Sequence, residues 1–252
     1  MNVLTDILDF LMPRRCIVCG MRLAVNERHL CTACYARLPF TQYHQVEHSP
    51  LEKQFWGLFP VGRAVSMFHH EGEKTRQIIY HIKYWRHPEV GYHLAQQYAE
   101  VLKAESLFFD DIDAIIPLPL HWQRQLKRHY NQSHIICQGI SKQTGIPVYR
   151  NVVRRVRNNP SQTRLTAQER IKNVKGIFCL VHPEKVEGKH VLLVDDVTTT
   201  GATLASCAQE LSRVPGVTIS ILTLAVASRT SLPVPHDEAI DASVFGVPLI
   251  NE

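Results

Sequence analysis

One stretch of the sequence, residues 190–204, restricts the possible fold more than any other. It begins with an apolar run, Val191 to Val194, whose length is typical of a fully buried strand. Two carboxylates, Asp195 and Asp196, follow directly, and an apolar pattern with helical spacing begins after Thr203. Because strand-like and helix-like segments alternate along the chain, the sequence predicts an α/β fold with a mostly parallel sheet and helices on both faces.

The loop between this strand and this helix has the composition of a phosphate site. Backbone N–H groups at the start of a helix lack partners within the helix, and the helix dipole favours an anion there. Threonine hydroxyls add donors, and a glycine lets the backbone approach a ligand closely. The two carboxylates can accept hydrogen bonds from sugar hydroxyls, so a ribose 5-phosphate would satisfy the whole loop. The residues assigned to this site are Asp195, Asp196, Val197, Thr198, Thr199, Thr200, Gly201, Ala202 and Thr203.

Three other interpretations of this stretch compete with a phosphate site. A plain helix N-cap would use the threonines but would leave the aspartate pair unexplained. The acidic pocket of response-regulator receivers follows a similar strand, but there it opens the domain, and too little chain follows Asp196 to build the rest. A nucleoside triphosphatase of the Walker type would need the pattern G-x-x-x-x-G-K-[S/T], which this sequence lacks.

The stretch resembles the phosphoribosyl pyrophosphate (PRPP) motif of type I phosphoribosyltransferases. The resemblance implies that Asp195 and Asp196 hold the ribose 2′ and 3′ hydroxyls and that residues 198–203 cradle the 5′-phosphate. It also implies the type I phosphoribosyltransferase fold. Mg²⁺ is expected to bind together with PRPP, held mainly by the oxygens of PRPP and by water.

Four cysteines near the start of the chain, in two C-x2-C pairs, predict a metal site. They are Cys16, Cys19, Cys31 and Cys34, and eleven residues separate the two pairs. Four thiolates complete a tetrahedral zinc site without an open position, which is a structural rather than a catalytic site. Two disulfides are the alternative, and a cytoplasmic location, where thiols stay reduced, argues against them. His29 lies close to the second pair and is interpreted as a surface residue.

Location and domain boundaries follow from hydropathy and charge. No stretch is long and apolar enough to span a membrane. The segment from Met1 to Met12 is expected to form a short amphipathic helix, and it lacks the basic start of a signal peptide, so the expected location is the cytoplasm. We expect an N-terminal helix and zinc module at 1–45, a linker at 46–60 and a phosphoribosyltransferase-like domain at 61–252. The net charge of +5 suits phosphorylated ligands or nucleic acid.

A second buried strand, from Ile112 to Ile116, is expected to end beside the first one. Ligands of parallel sheets bind outside the carboxyl ends of the strands. Residues that follow this strand should therefore face the same site as Asp195, and these residues are Pro117, Leu118 and Pro119.

A basic helix is predicted next, from about Trp122 to Thr144. Arg124, Lys127 and Arg128 lie three or four residues apart on one of its faces. Such a face suits pyrophosphate, which carries several charges, and arginine adds bidentate geometry. A solvated basic helix face is the alternative. A smaller basic patch, whose role the sequence leaves open, consists of Lys83, Tyr84 and Arg86.

The run Pro-Leu-Pro-Leu-His121, followed by Arg-His-Tyr-Asn-Gln132, is similar to the signature P-V-P-L-H…R…R-G-F-N-Q of the ComF family. The four-cysteine module and the pattern D-D-V-x-T-T-G-x-T occur in that family in the same order, so the resemblance covers nearly the whole chain. ComF proteins are phosphoribosyltransferase-like and are associated with competence and DNA uptake. The resemblance implies single-stranded DNA and DNA-uptake proteins as partners, and pyrophosphate binding by backbone amides at 117–119. One departure is His129, where the family has glycine, which predicts that this turn is already helical.

A basic segment between Arg150 and Lys175 lies where this fold carries a flap over the active site. Closure of the flap on pyrophosphate is one hypothesis. In a second hypothesis its charges follow the backbone of single-stranded DNA, and bases stack on Trp85, Trp122 or Tyr130. A solvated loop is the third. The assigned residues are Arg154, Arg157, Arg164 and Arg170.

Two functions are compatible with these observations. The first is a PRPP-dependent phosphoribosyltransferase that acts in natural competence and in the handling of imported single-stranded DNA. The second is a protein on the same fold without turnover, either a PRPP sensor or a single-stranded DNA-binding protein. The sequence identifies neither an acceptor substrate nor a general acid or base.

Overall fold

A four-stranded parallel sheet forms the centre of the protein. The computed structural model describes residues 13–84, 87–157 and 176–227. The strands of the sheet lie in the order β1-β6-β5-β2, and every neighbouring pair is parallel. Their bounds are β1 (Val61–His69), β2 (Ala114–Pro117), β5 (His190–Thr198) and β6 (Thr218–Val226). The predicted parallel sheet is confirmed.

Helices cover both faces of the sheet, as predicted. They are α1 (Thr32–Ala36), α2 (Pro50–Phe55), α3 (Gly72–Lys83), α4 (Pro88–Glu105), α5 (Trp122–Arg128), α6 (Gln132–Thr144) and α7 (Ala202–Leu211). Successive side chains of a strand point to opposite faces. On β5, Leu192 and Val194 therefore pack with α3, α4 and α6, whereas Val191 and Leu193 pack with α2 and α7. Among the helices of the described segments, none combines the length and the apolar composition that a membrane crossing requires.

A separate hairpin lies beside the main sheet. Its strands, β3 (Val153–Arg155) and β4 (Phe178–Leu180), pair antiparallel with each other. The flap candidates Arg164 and Arg170 lie between these strands and outside the described residues. The predicted helix at 1–12, together with Trp85 and Arg86, also lies outside them.

The segment that follows the cysteine module, residues 39–41, connects the module to the sheet. The N–H of His69 donates to Pro39 O at 2.8 Å, and the N–H of Thr41 donates to Met67 O at 3.1 Å. Phe40 forms an antiparallel bridge with Phe68. Because these bonds pair the outer side of β1, the segment covers an edge strand that would otherwise present unpaired backbone groups.

The interpretation of residues 46–60 as a linker is wrong, because α2 lies within them and is buried. Pro50 occupies the first turn of α2, and Ser49 Oγ accepts a hydrogen bond from the Glu52 N–H at 3.2 Å, which caps the helix. Leu51 and Phe55, four residues apart, face the core and are 1% and 0% exposed. The polar residues around them hide this short apolar face in the sequence.

The single helix predicted from Trp122 to Thr144 is broken into α5 and α6. His129 ends α5 in the left-handed conformation with φ of 65°. Asn131 then starts α6, because its Oδ1 accepts a hydrogen bond from the Ser133 N–H at 3.1 Å. The expectation that His129 is helical is therefore wrong. Histidine adopts here the backbone conformation that glycine occupies most easily.

Candidate functional site

The carboxyl ends of β2 and β5 meet at one edge of the sheet. Pro117 lies opposite Val194, and the Leu118 N–H donates to Val194 O at 2.9 Å. β5 continues past this point through the aspartate pair to Thr198. The structure therefore brings residues 117–119 beside the aspartate pair, as the strand-end argument predicted.

Each aspartate of the pair is held by a different helix. Asp195 Oδ1 accepts hydrogen bonds from Ser133 Oγ of α6 and from the Asp196 N–H, both at 2.9 Å. Asp196 Oδ1 accepts one from the Val197 N–H at 2.7 Å, and its Oδ2 lies 3.6 Å from Lys83 Nζ at the end of α3. The side chains of Lys83 and Asp196 are only 12% and 9% exposed. Buried charges of this kind persist in proteins when they are paired.

The surroundings of Asp195 favour its protonated form. Burial, together with the nearby carboxylate of Asp196, raises the pKa of Asp195 to about 7. The Asp196 N–H, Lys83 and Ser133 favour the ionised form and oppose this shift. A carboxyl group with a pKa near neutrality, at the end of a strand, is typical of functional sites.

The threonine loop leads into α7 without a side-chain cap. Gly201 is the N-cap residue, with φ of 69°, and no side chain of the described residues caps the helix, so the threonines are not a plain N-cap. The Ala205 N–H makes the first helical bond, to Gly201 O at 2.8 Å. The N–H groups of residues 202–204 precede this bond and remain available to an anion. The buried Thr198 hydroxyl has no hydrogen-bond partner within the described segments.

α2 supports this loop from the side, a contact that no motif predicted. Gln54 Nε2 donates to Thr199 O at 2.9 Å. A Cβ atom at Gly201 would lie 2.7 Å from the ring of Phe55, closer than real Cβ contacts. The loop therefore takes its shape from a helix that is remote in the sequence.

Residues 117–119, which the sequence predicts to face pyrophosphate, are anchored by the start of α6. Asn131 Nδ2 donates to Leu118 O at 3.0 Å. Pro117 and Leu118 are buried, whereas Pro119 is partly exposed. No cis peptide bond occurs in the described parts of the chain, residues 117–119 included.

The arginines of the predicted basic face have different environments. Arg128 donates to Tyr84 Oη and to Gln132 Oε1, both at 3.3 Å, and its guanidinium lies 5.1 Å from the centre of the Tyr84 ring. Arg124 is partly exposed and lies close enough to Arg155 for the two charges to interact. Arg128 is therefore engaged within the protein, whereas Arg124 belongs to a pair of neighbouring cations.

Three residues near the aspartates were not among the predicted site residues, namely Lys83, Ser133 and Arg155. Burial lowers the pKa of Arg155, as does the nearby Arg124, whereas Asp195 opposes the shift. On the same hairpin Arg154 and Arg157 are exposed. The alternation of a strand, which turns Arg154 outward and Arg155 inward, is the signal that could have identified it.

The four cysteines form the predicted metal site. The sulfur atoms of Cys16, Cys19, Cys31 and Cys34 all lie within 4.8 Å of one another, and those of Cys19 and Cys31 are 3.7 Å apart. Tetrahedral zinc with Zn–S bonds of about 2.3 Å places its sulfur ligands about 3.8 Å apart. The geometry therefore fits a closed structural zinc site. His29 is half-buried rather than on the surface, with its ring stacked on His93 at 5.2 Å.

Family models match both parts of the chain. The double zinc ribbon domain matches residues 7–45, and the phosphoribosyl transferase domain matches residues 133–248. Among solved structures, the glutamine PRPP amidotransferase from B. subtilis has 20% identity over 56% of this chain and 30% of that chain, with a TM-score of 0.36.

Several curated relatives are 30–31% identical to this chain over the residues that align. The DNA utilization protein YhgH of Escherichia coli O6:H1 is 31% identical over 83% of this chain and 96% of its own length. Competence protein F of Haemophilus influenzae is 30% identical over 84% of this chain and 97% of its own length. Competence protein ComFC of Bacillus subtilis is 30% identical over 41% of each chain. With the zinc module, the parallel sheet and the acidic strand end in the same chain, this protein belongs to the ComF family, that of YhgH and competence protein F.

Proposed function

We propose that this protein binds PRPP, or a related ribose 5-phosphate, at the carboxyl edge of its sheet, and that it acts in the handling of imported single-stranded DNA. The observation that carries the proposal is one juxtaposition. A short loop leads from Asp195 and Asp196 to a helix start that no side chain of the described residues caps, and the pair lies beside the end of β2. Sugar hydroxyls and a phosphate at their natural separation would meet the carboxylates and the N–H groups respectively.

The roles of the residues follow from this placement. The ribose hydroxyls donate to Asp195 and Asp196, and the 5′-phosphate accepts from the N–H groups of the loop at 198–203 and from the Thr198 hydroxyl. Pyrophosphate lies against residues 117–119, within reach of Arg124. Mg²⁺ is held by PRPP oxygens and water, and it neutralises part of the charge of the ligand.

If the protein transfers the ribosyl group, its main contribution is electrostatic. Negative charge develops on the departing pyrophosphate, and donors already in place on the pyrophosphate side stabilise this charge. The same contacts would hold PRPP without turnover in a sensor. Release of pyrophosphate in the presence of candidate acceptors separates the two, because only the enzyme releases it beyond one equivalent.

Calorimetric titration with PRPP and Mg²⁺ tests the binding itself. We expect binding by the wild type and loss of binding in Asp195→Asn/Asp196→Asn, which keeps the shape of both side chains. Asp110→Asn is the matched control, because Asp110 is an exposed aspartate outside the site. Absence of binding by the wild type, or unchanged binding by the double variant, contradicts the proposal.

A single-stranded DNA-binding protein is the second candidate, and one feature favours it. Residues 114–157 contain eight lysines and arginines and no carboxylate. Trp122, on α5, is 61% exposed. An exposed aromatic ring within a basic surface is typical of proteins that stack bases and neutralise phosphates.

Salt-dependent binding to single-stranded DNA tests this candidate. Replacement of Arg154 and Arg157 by methionine should weaken binding and flatten its salt dependence, because fewer counterions are released. Trp122→Ala should weaken binding by about 1–3 kcal/mol if a base stacks there. Trp56→Ala, at a tryptophan that is 52% exposed, is the control. Equal affinities of all variants contradict a DNA-binding role of this surface.

A further inference from the structure

We propose that Lys83 is a positioning residue of this site, whose ammonium group holds Asp196 and compensates the charge of the aspartate pair, so that both carboxylates meet the ribose in ionised form. The inference rests on the proposed function, because it assigns a role within the same site. No motif assigned this role, and the sequence left the patch around Lys83 open.

The contact between Lys83 and Asp196 is buried. Lys83 Nζ lies 3.6 Å from Asp196 Oδ2, and neither side chain is more than 12% exposed. Surface ion pairs contribute little because water and salt screen them. At a buried pair, removal of one partner leaves the other charge uncompensated, so the effect of Lys83 on the aspartates should be large.

The two chain neighbours of Lys83, Ile82 and Tyr84, are both held by tertiary contacts. Tyr130 Oη donates to Ile82 O at 2.6 Å. Tyr84 Oη accepts from Arg128 at 3.3 Å, and the Tyr84 ring lies beneath that guanidinium. The end of α3 is therefore fastened to the turn between α5 and α6, and this turn leads to the residues that anchor the pyrophosphate side. These tertiary contacts fix the backbone from which the Lys83 side chain extends.

The positive charge of Lys83 offsets the repulsion between the two aspartates. Two adjacent carboxylates repel each other, and without a cation one of them takes up a proton. Burial and the charge of Asp196 raise the pKa of Asp195 to about 7, and Lys83 opposes this rise. If Lys83 were neutral, Asp195 would stay protonated to higher pH and would offer one acceptor fewer to the ribose hydroxyls.

Other titratable groups near the pair keep one charge state around neutral pH. Burial raises the pKa of the Cys137 and Cys207 thiols and of the Tyr130 hydroxyl, so these groups stay neutral. Arg155 stays cationic although its pKa is lowered. The groups that face the pair are Lys83 from α3, Tyr130 from the turn before α6, Cys137 from α6, Arg155 from β3 and Cys207 from α7.

The test compares the pH dependence of PRPP affinity, in the presence of Mg²⁺, between wild type and variants. Lys83→Gln removes the charge but keeps a donor for Asp196, and Lys83→Met removes both. We expect Lys83→Gln to bind about tenfold more weakly near pH 6, with a deficit that shrinks to about fivefold at pH 7 and vanishes towards pH 9, because a rise of one unit in the pKa of Asp195 lowers its ionised fraction by a factor of ten only below that pKa. Lys83→Arg should follow the wild-type profile, since it keeps the cation.

Lys142→Met is the matched control, because Lys142 is an exposed lysine in the last turn of α6, at the opposite end of that helix from Ser133. Its profile should coincide with that of the wild type. The titration of the ligand itself is common to all variants and cancels in the ratios. A deficit that stays constant with pH would overturn the proposal, because it would mean a role independent of the ionisation of Asp195.

A measurement without ligand separates this proposal from the proposed function. The carboxyl carbon of Asp195, assigned with Asp195→Asn, is followed by NMR as the pH changes. Its midpoint should move to higher pH in Lys83→Gln and Lys83→Met and stay in place in Lys142→Met. An unmoved midpoint overturns the role of Lys83 and leaves PRPP binding intact. Absence of PRPP binding by the wild type overturns the proposed function, and with it any role of Lys83 towards ribose, whatever the midpoint.

Discussion

The ring of Phe55 lies 2.7 Å from the point where a Cβ atom at Gly201 would sit. Phe55 is completely buried at the end of α2, and Gly201 starts α7 with φ of 69°. A helix from the polar segment between the zinc module and the sheet thus determines which residue can follow the threonine loop. The loop needs glycine for two separate reasons, its backbone conformation and the space that Phe55 occupies.

Gly201→Ala should therefore destabilise the protein by more than the cost of placing alanine in a left-handed conformation. A left-handed conformation costs about 1–2 kcal/mol for a residue with a Cβ atom. Steric overlap with Phe55 should add about 1–3 kcal/mol, as overpacking does elsewhere. Gly145→Ala is the control, because Gly145 has φ of 80° and no atom near its Cβ position. Chemical denaturation measures both free energies of unfolding, and equal losses would contradict the steric role of Phe55.

Asp195→Asn should stabilise the protein at high pH and have little effect at low pH. The pKa of Asp195 in the folded protein is about 7, above its ordinary value of 3.8, so the folded state binds a proton that the unfolded state has lost. Stability therefore falls as the pH rises through this window. Asparagine stays neutral and keeps an acceptor for Ser133. Its advantage should grow between the two pKa values and level off above them, at about 1 kcal/mol or more.

Urea denaturation of both proteins at a series of pH values measures this advantage. Asp110→Asn, at an exposed aspartate, controls for the simple loss of one negative charge. An advantage of Asp195→Asn that does not change with pH would contradict the raised pKa. An advantage that appears only at low pH would mean that folding lowers the pKa of Asp195 instead of raising it.

The strand–loop–helix around Asp195 could be predicted from the sequence because its signals are local. Val191 to Val194 has the length of a buried strand, and the glycine and threonines mark the start of the next helix. The two C-x2-C pairs are local in the same sense. Where a few adjacent residues determine the local structure, the sequence is sufficient to predict it.

Other parts of the site depend on contacts between distant segments, and the sequence did not reveal them. Lys83 reaches Asp196 only because α3 packs on the sheet beside β5. Phe55 becomes a wall of the loop only in the folded chain. His129 shows a different limit. Residues other than glycine adopt the left-handed conformation rarely, so neither propensity nor pattern predicted the break between α5 and α6.

Removal of zinc should unfold the cysteine module and weaken the sheet edge that it covers. We expect one zinc ion per chain by elemental analysis, because the four sulfur atoms form one closed cluster. Cys34→Ser, or a strong chelator, should release the metal and lower Tm, since the bonds of Pro39 and Thr41 to β1 depend on the folded module. Cys179→Ser, at a partly exposed cysteine of β4, should keep the zinc. Zinc retained in Cys34→Ser, or an unchanged Tm after chelation, would contradict the assignment.

Arg155→Met should weaken the binding of pyrophosphate, whereas Arg154→Met should not. Arg155 is half-buried, with its guanidinium near that of Arg124, and an anion bound between two such cations relieves their repulsion. Arg154, its neighbour on β3, is exposed. Calorimetry with inorganic pyrophosphate and Mg²⁺ should show a loss of about tenfold in Arg155→Met, the size of one charged hydrogen bond. The reverse ranking of the two variants would place the pyrophosphate on the outer face of the hairpin, away from Asp195, and would contradict the arrangement proposed for this site.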